Sequence, residues 1–348
     1  MAAVTDVIEV SFTGDLLAHR RCARAWAYEK RAGFQPYEVV QAMEGRLVHH
    51  AMEWLTRQYH EALDRRRHVT DEELRRQLDR HFKVLWARGI RTTFESKQDT
   101  LDRVVGNLFP RGQIDPVVKA VVEGAVHTEY ELRAVKKVLP ADAADFAGKS
   151  RILLTGILDL VVQQFEPLTY DRTWAWDSAE ILEGHPEERS LTAAPGDIEI
   201  WDYKATRASS PFCSDYVRQL LTYAALYRDR TGELPARCVL FFINEPANRS
   251  RRLLAVDVSP AIVDAALDWT YQQVRLLRAT DAAFQDNPGA VEAGELAHRS
   301  RPVGHRLTAE TKQQCTACSF RFDCAEYTAN LDGGASHQDV VLANVFKN

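Results

Sequence analysis

The sequence has no long apolar run. Its longest, such as Cys238-Val239-Leu240-Phe241-Phe242-Ile243, are far too short to span a bilayer. It opens with MAAVTDVIEVSFTGDLL, which carries Asp6, Glu9 and Asp15 and no basic n-region, so the start does not read as a signal peptide. No excess of basic charge is present: 44 Lys and Arg against 49 Asp and Glu leave a net charge of −5. That argues against a histone-like polycation but not against a local basic surface; His19-Arg20-Arg21 with Arg24, Arg65-Arg66-Arg67 and Arg75-Arg76 are short basic runs, each read singly as a solvated helix face. No Gly-x-x-x-x-Gly-Lys-[Ser/Thr] occurs, so the chain has no P-loop motor of its own. Nor does it show an internal repeat. Cysteine is sparse, with six residues. The expected compartment is the cytosol, with no membrane partner, and there thiols serve as metal ligands or buried groups rather than disulfides.

What is present is ample for a large core: 348 residues, 45% hydrophobic and 27% charged. Residues 11–31 place apolar side chains at roughly helical spacing, and residues 38–62 repeat the pattern around Gly45-Arg46-Leu47-Val48-His49-His50. A glycine inside a helix is unfavourable by about 1 kcal/mol relative to Ala, so a close approach by another segment or by substrate is expected at Gly45. Thr70 and Glu73 form a capping-box pattern ahead of an amphipathic helix over 70–89, and further helices are expected near 97–108 and 115–124. The periodicity then shifts. Strands are expected over 126–134, 152–163, 198–204, 237–244 and 252–258, with helices over 211–230 and 260–277. Residues 166–197 read as an irregular insertion beside the site, and 284–312 as a linker. The expected fold class is α/β.

Two strand-like segments carry an acid at or near their ends, Asp159 in GILDLVV and Asp202 in IEIWDYKAT. Lys204 follows two residues after Asp202, and residues two apart on a strand share a face. Carboxylates hold divalent cations, which clamp a phosphate and activate water, and a lysine beside them can stabilise phosphate charge. Gln219 and Tyr223 are four apart, hence on one face of the following helix. A second set is Cys315-x2-Cys318-x5-Cys324, three thiols dense enough to read as metal ligands. A tetrahedral zinc site or an iron–sulfur cluster needs a fourth ligand, for which Cys22 is the best remote candidate. On the residues alone, zinc and iron stand equal. Cys213 and Cys238 read as plain thiols.

The order Gly45-x3-His49, Gly156-x2-Asp159, Asp202-x-Lys204, Gln219-x3-Tyr223 resembles the PD-(D/E)XK nuclease superfamily, most closely its iron–sulfur branch, which includes CRISPR-associated exonucleases and AddB-type nuclease domains. The resemblance spans roughly 11–327. It implies a restriction-endonuclease-like core, with a central mixed sheet flanked by helices, over 126–283. A helical region over 1–125 would precede it, and a linker with an iron–sulfur knuckle over 284–348 would follow. It implies that His49, Asp159 and Asp202 hold Mg²⁺ or Mn²⁺, that Lys204 is catalytic and that Gln219 and Tyr223 contact DNA or support the site. His50 competes with His49, and the Gly-to-His spacing selects His49. Glu129 matches an acid often seen on the preceding strand. The resemblance also implies a [4Fe–4S] cluster on Cys22, Cys315, Cys318 and Cys324. The expected function is a metal-dependent DNase for single-stranded DNA or DNA ends, in phage defence, CRISPR adaptation or recombination repair. A helicase or a defence-system protein would be its partner. The alternative is a non-catalytic nucleic-acid-binding subunit of a larger complex.

Overall fold

The computed structural model describes residues 7–33, 42–65, 69–92, 96–137, 151–179, 182–206, 213–245, 250–286, 318 and 320. The chain divides into two units, one of residues 1–13 and 40–272, the other of residues 14–39 and 273–348.

The first unit is an α/β structure around an eight-stranded mixed sheet. Its strands are β1 (Val7–Ser11), β2 (Ala125–Lys137), β3 (Arg151–Gln163), β5 (Thr173–Ser178), β6 (Glu183–Glu187), β8 (Ile198–Lys204), β9 (Arg237–Phe242) and β10 (Leu253–Asp257). They follow the order β1-β3-β8-β9-β10-β5-β6, with β2 on β3. A separate small pair joins β4 (Leu168–Tyr170) to β7 (Leu191–Ala193). Four helices, α3 (Ala42–Arg65), α4 (Asp71–Ala87), α5 (Lys97–Leu108) and α6 (Pro116–Glu123), share one core with the sheet. Leu47, Leu55, Leu78 and Leu108 pack there with Leu160, Trp201, Tyr203, Val239 and Phe241. Trp201 and Tyr203 alternate with Asp202 and Lys204, so the latter two face the opposite side, where α7 (Cys213–Thr231) lies. Local chemistry sets the helix starts. Thr70 and Glu73 close the capping box as expected, Ser96 and Asp99 form another on α5, and Asp115 caps α6 while pairing with buried Arg252 at 2.7 Å.

Two features depart from the sequence reading. The first is β1, which runs parallel to β3 over Arg151–Thr155 and is too short, at five residues, to announce itself by alternation. The second is the insertion 166–197, whose described residues include the strands β4 to β7 where the sequence reads as irregular. Its hairpin β5–β6 extends the sheet beyond β10, three strand positions from β8. Glu199 on β8 ties this region down: its buried carboxylate accepts from Gln164 Nε2 and Tyr170 Oη (each 2.6 Å), Trp201 Nε1 (2.9 Å) and Arg237 Nη1 (2.7 Å). A buried carboxylate with four donors is satisfied, which is the condition for retaining it in a core.

The second unit contains a π-helical turn (Phe12–Leu17, mostly within it), α1 (Ala18–Arg21), α2 (Ala23–Lys30) and the C-terminal part of α8 (Pro260–Asp286). Asp281 on α8 is buried and pairs with Arg31 and with Arg278 (2.6 Å). His19 Nε2 lies 2.8 Å from Thr280 Oγ1, and burial lowers the His19 pKa to about 4. Phe320 packs on Tyr28, ring centroids 5.8 Å apart. Among the described residues, no helix is long and apolar enough to cross a membrane.

Candidate metal centre

The site begins as a gap in the sheet. One edge of β3 is covered by β2, so β1 and β8 share the other, β1 pairing with Arg151–Thr155 and β8 with Leu160–Gln163. Residues 156–159 of β3 have neither strand beside them on that edge. Asp159 partly closes the fork: its Oδ2 accepts the Tyr203 backbone N–H at 2.9 Å, replacing a ladder hydrogen bond where β8 diverges. Gly156 serves the same region by its lack of a side chain. A Cβ there would sit 2.6 and 2.9 Å from ring carbons of Tyr223, so the glycine lets α7 seat against β3.

Three elements bring polar groups to this fork. From α3, His49 Nδ1 lies 3.2 Å from Asp159 Oδ1. From β2 comes Glu129, directly across from Asp159, since Thr128 pairs with Leu160 and Tyr130 with Leu158. Its backbone is left-handed (φ 48°), a strained conformation for a non-glycine residue inside a strand. From β8, buried Asp202 stands beside Asp159 and forms an ion pair with Lys204. The Lys204 ammonium lies 4.5 Å from the Tyr216 ring centroid and donates to Gln219 Oε1 at 3.2 Å. Gln219 Nε2 in turn donates to Tyr223 Oη (2.9 Å) and Thr13 Oγ1 (3.3 Å). The two helix residues therefore connect to the lysine as one hydrogen-bonded chain.

Ligand-type atoms of His49, Glu129 and Asp159 all lie within 4.8 Å of one another. Geometry thus groups Glu129 with His49 and Asp159, whereas the resemblance implied Asp202 as the third ligand. The signal for Glu129 was its place on the strand before Asp159. Register, which brings it opposite, is not written in either segment alone. His50 goes elsewhere: it stacks on His81 with centroids 3.8 Å apart, and its Nε2 is 3.1 Å from Gln77 Nε2. Gly45 sits one helical turn before His49, and among the described residues nothing lies within 4 Å of a Cβ built there. No described segment makes the close approach expected at this glycine.

The electrostatics are those of a site short of positive charge. For His49, burial alone disfavours the cation. The Asp159 carboxylate, helped by Asp202, reverses this and raises the pKa to about 9. For Asp202, burial is the largest influence and raises the pKa; Lys204 opposes this and Asp159 reinforces it. Burial also acts to raise Asp159, but His49, Asp202 and Lys204 together hold it below the ordinary carboxylate range. Two acids in contact resist ionising together, so burial and Asp159 push the Asp202 carboxyl toward its neutral form. Two carboxylates are hard donors and imidazole a borderline one, a set able to hold a divalent cation. Beside that set, Tyr203 Oη is buried without a hydrogen-bond partner among the described residues, whereas Asp202 Oδ2 is engaged by Lys204.

The expectation of a [4Fe–4S] cluster, or zinc in its place, on cysteines is corrected here. The ligand group assembled among the described residues is His49, Glu129 and Asp159, and it contains no thiolate. Iron–sulfur clusters are held chiefly by thiolates, so this centre does not suit one. Cys22 Sγ instead accepts the Ala25 N–H at 3.5 Å as the N-cap of α2. Cys318 is half-buried, while Cys315 and Cys324 lie outside the described residues. Cys213 and Cys238 are buried, and burial pushes both thiols upward, Cys213 to about 12.

Residues 14–171 match the PD-(D/E)XK nuclease superfamily. The matched span takes in His49, Glu129 and Asp159 and ends before Asp202 and Lys204. The α/β unit with its mixed sheet flanked by helices is consistent with that superfamily's core, and superfamily resemblance points to a hydrolase acting on nucleic acid. A comparison with curated proteins returned no match.

Proposed function

We propose that this chain is a Mg²⁺- or Mn²⁺-dependent deoxyribonuclease that hydrolyses phosphodiester bonds at the β3–β8 fork. The observation that carries the reading is the convergence of two sets on one fork: His49, Glu129 and Asp159 as a cation-type donor group, and Asp202, Lys204 and Gln219 as a hydrogen-bonded chain beside it. A divalent cation held there would polarise the phosphate and lower the pKa of an attacking water. His49 supplies a nitrogen once neutral, and Asp159 and Glu129 supply carboxylate oxygens. Asp202 would stay paired with Lys204 beside them. The Lys204 ammonium, only 13% exposed and oriented by Gln219, offers a fixed positive charge to the phosphate as negative charge develops. Tyr223 and Thr13 fix Gln219 in turn.

Incubating labelled single- and double-stranded DNA with Mn²⁺ or Mg²⁺ tests this. Wild type should cut, and Asp159→Asn and Lys204→Ala should lose at least about 100-fold in rate, the size of loss seen when one charge-stabilising group is removed. A wild type that binds DNA but never cuts it would turn the reading into that of a binding subunit.

A further inference from the structure

The buried hydroxyl of Tyr203 has no role in the chemistry above. Tyr203 stands between Asp202 and Lys204 but points to the other face of β8, into the core beneath α3. Its ring meets His49 edge-on at 6.0 Å and Phe241 at 6.3 Å. The side chain is 3% exposed, yet its oxygen has no hydrogen-bond partner among the described residues. Tyr170 and Tyr223, buried in the same unit, both have one. A phenylalanine would fill the space without stranding a polar atom, so the hydroxyl calls for an explanation.

The carboxylates grouped with His49, which the ring meets, are Asp159 and Glu129, and Asp202 stands beside Asp159. Two are already engaged. Asp159 pairs with His49 through Oδ1 and accepts the Tyr203 N–H through Oδ2. Asp202 is held by Lys204. Glu129 makes no hydrogen bond among the described residues, although it belongs to the donor group and reaches it only through a left-handed backbone. A carboxylate that ligates a cation is ordinarily fixed by an outer hydrogen bond that sets its orientation. We infer that Tyr203 is a positioning residue for the cation site, its hydroxyl donating to the Glu129 carboxylate when that carboxylate turns to ligate. The inference rests on the metal-dependent reading above and adds to it a donor on the core side of the site.

The test is Mn²⁺ binding, measured by calorimetric titration on chelator-stripped wild type, Tyr203→Phe, Glu129→Gln and the double variant, alongside thermal melts without metal. Tyr203→Phe should melt at or above the wild-type temperature without metal, because it removes a stranded hydroxyl. It should nonetheless bind Mn²⁺ at least about tenfold more weakly. The double variant should bind no more weakly than Glu129→Gln alone, since the hydroxyl acts through Glu129. Mn²⁺ affinity of Tyr203→Phe within twofold of wild type, or losses that multiply in the double variant, would overturn the inference while leaving the metal-dependent reading intact. A wild type that does not bind Mn²⁺ would overturn both.

Discussion

His49 Nδ1 and Asp159 Oδ1 lie 3.2 Å apart, joining the N-terminal part of α3 to the gap in β3. In the cation-free protein this pair holds a proton. With the folded pKa raised from 6.5 to about 9, its stabilising contribution is complete below about pH 6.5 and is lost as pH rises through about 9. The melting temperature in chelator should therefore fall between pH 6.5 and 9, and His49→Asn should flatten that slope. Cation binding needs the neutral imidazole, so Mn²⁺ affinity should climb across the same window, with proton release on binding. A pH-independent melting temperature in chelator would refute the assignment.

The Asp202–Lys204 pair makes a second prediction. Asp202 is buried and Lys204 covers it, so Lys204→Met strands a carboxylate that burial already pushes toward its neutral form. Urea denaturation should show a loss of roughly 3 kcal/mol near pH 8, as when one member of a buried pair is removed. Near pH 5 the loss should be smaller, because Asp202 can then keep its proton. The variant Asp202→Asn/Lys204→Met should recover most of the stability and none of the cleavage.

Gly156 and Tyr223 make a third. Gly156→Ala places a methyl group against the Tyr223 ring and, at 3.2 Å, Leu226 Cδ1. Overpacking of this kind destabilises by about 1–3 kcal/mol. Adding Tyr223→Leu should restore part of that loss in thermal melts. If the two changes act additively, the contact does not explain the glycine.

Gly45 provides a steric probe of substrate approach. Gly45→Ala should raise the melting temperature, since alanine favours helix by up to about 1 kcal/mol and nothing described crowds the new methyl. If DNA passes this face of α3, the same variant should raise KM while Mn²⁺ affinity stays unchanged. Unaltered kinetics would show that the space in front of Gly45 is not used.

Much of the site could be read before any fold was known, because it depends on short-range periodicity. Asp202 and Lys204 share a face because strands alternate, and Gln219 meets Tyr223 because helix residues four apart are neighbours. The segments that became α4, α5 and β8 were legible for the same reason, from caps and apolar spacing within one stretch. Tertiary structure decided what no single stretch encodes. The register of β2 on β3 sets Glu129 opposite Asp159, and the packing of α3 turns His49 rather than His50 toward the site. The five residues of β1 and the divergence of β8 leave the gap in which these groups meet. Each of these depends on how distant segments are placed by the shared core. The donor group that resulted is nitrogen and carboxylate rather than thiolate, an outcome that cysteine spacing, being local, could not decide.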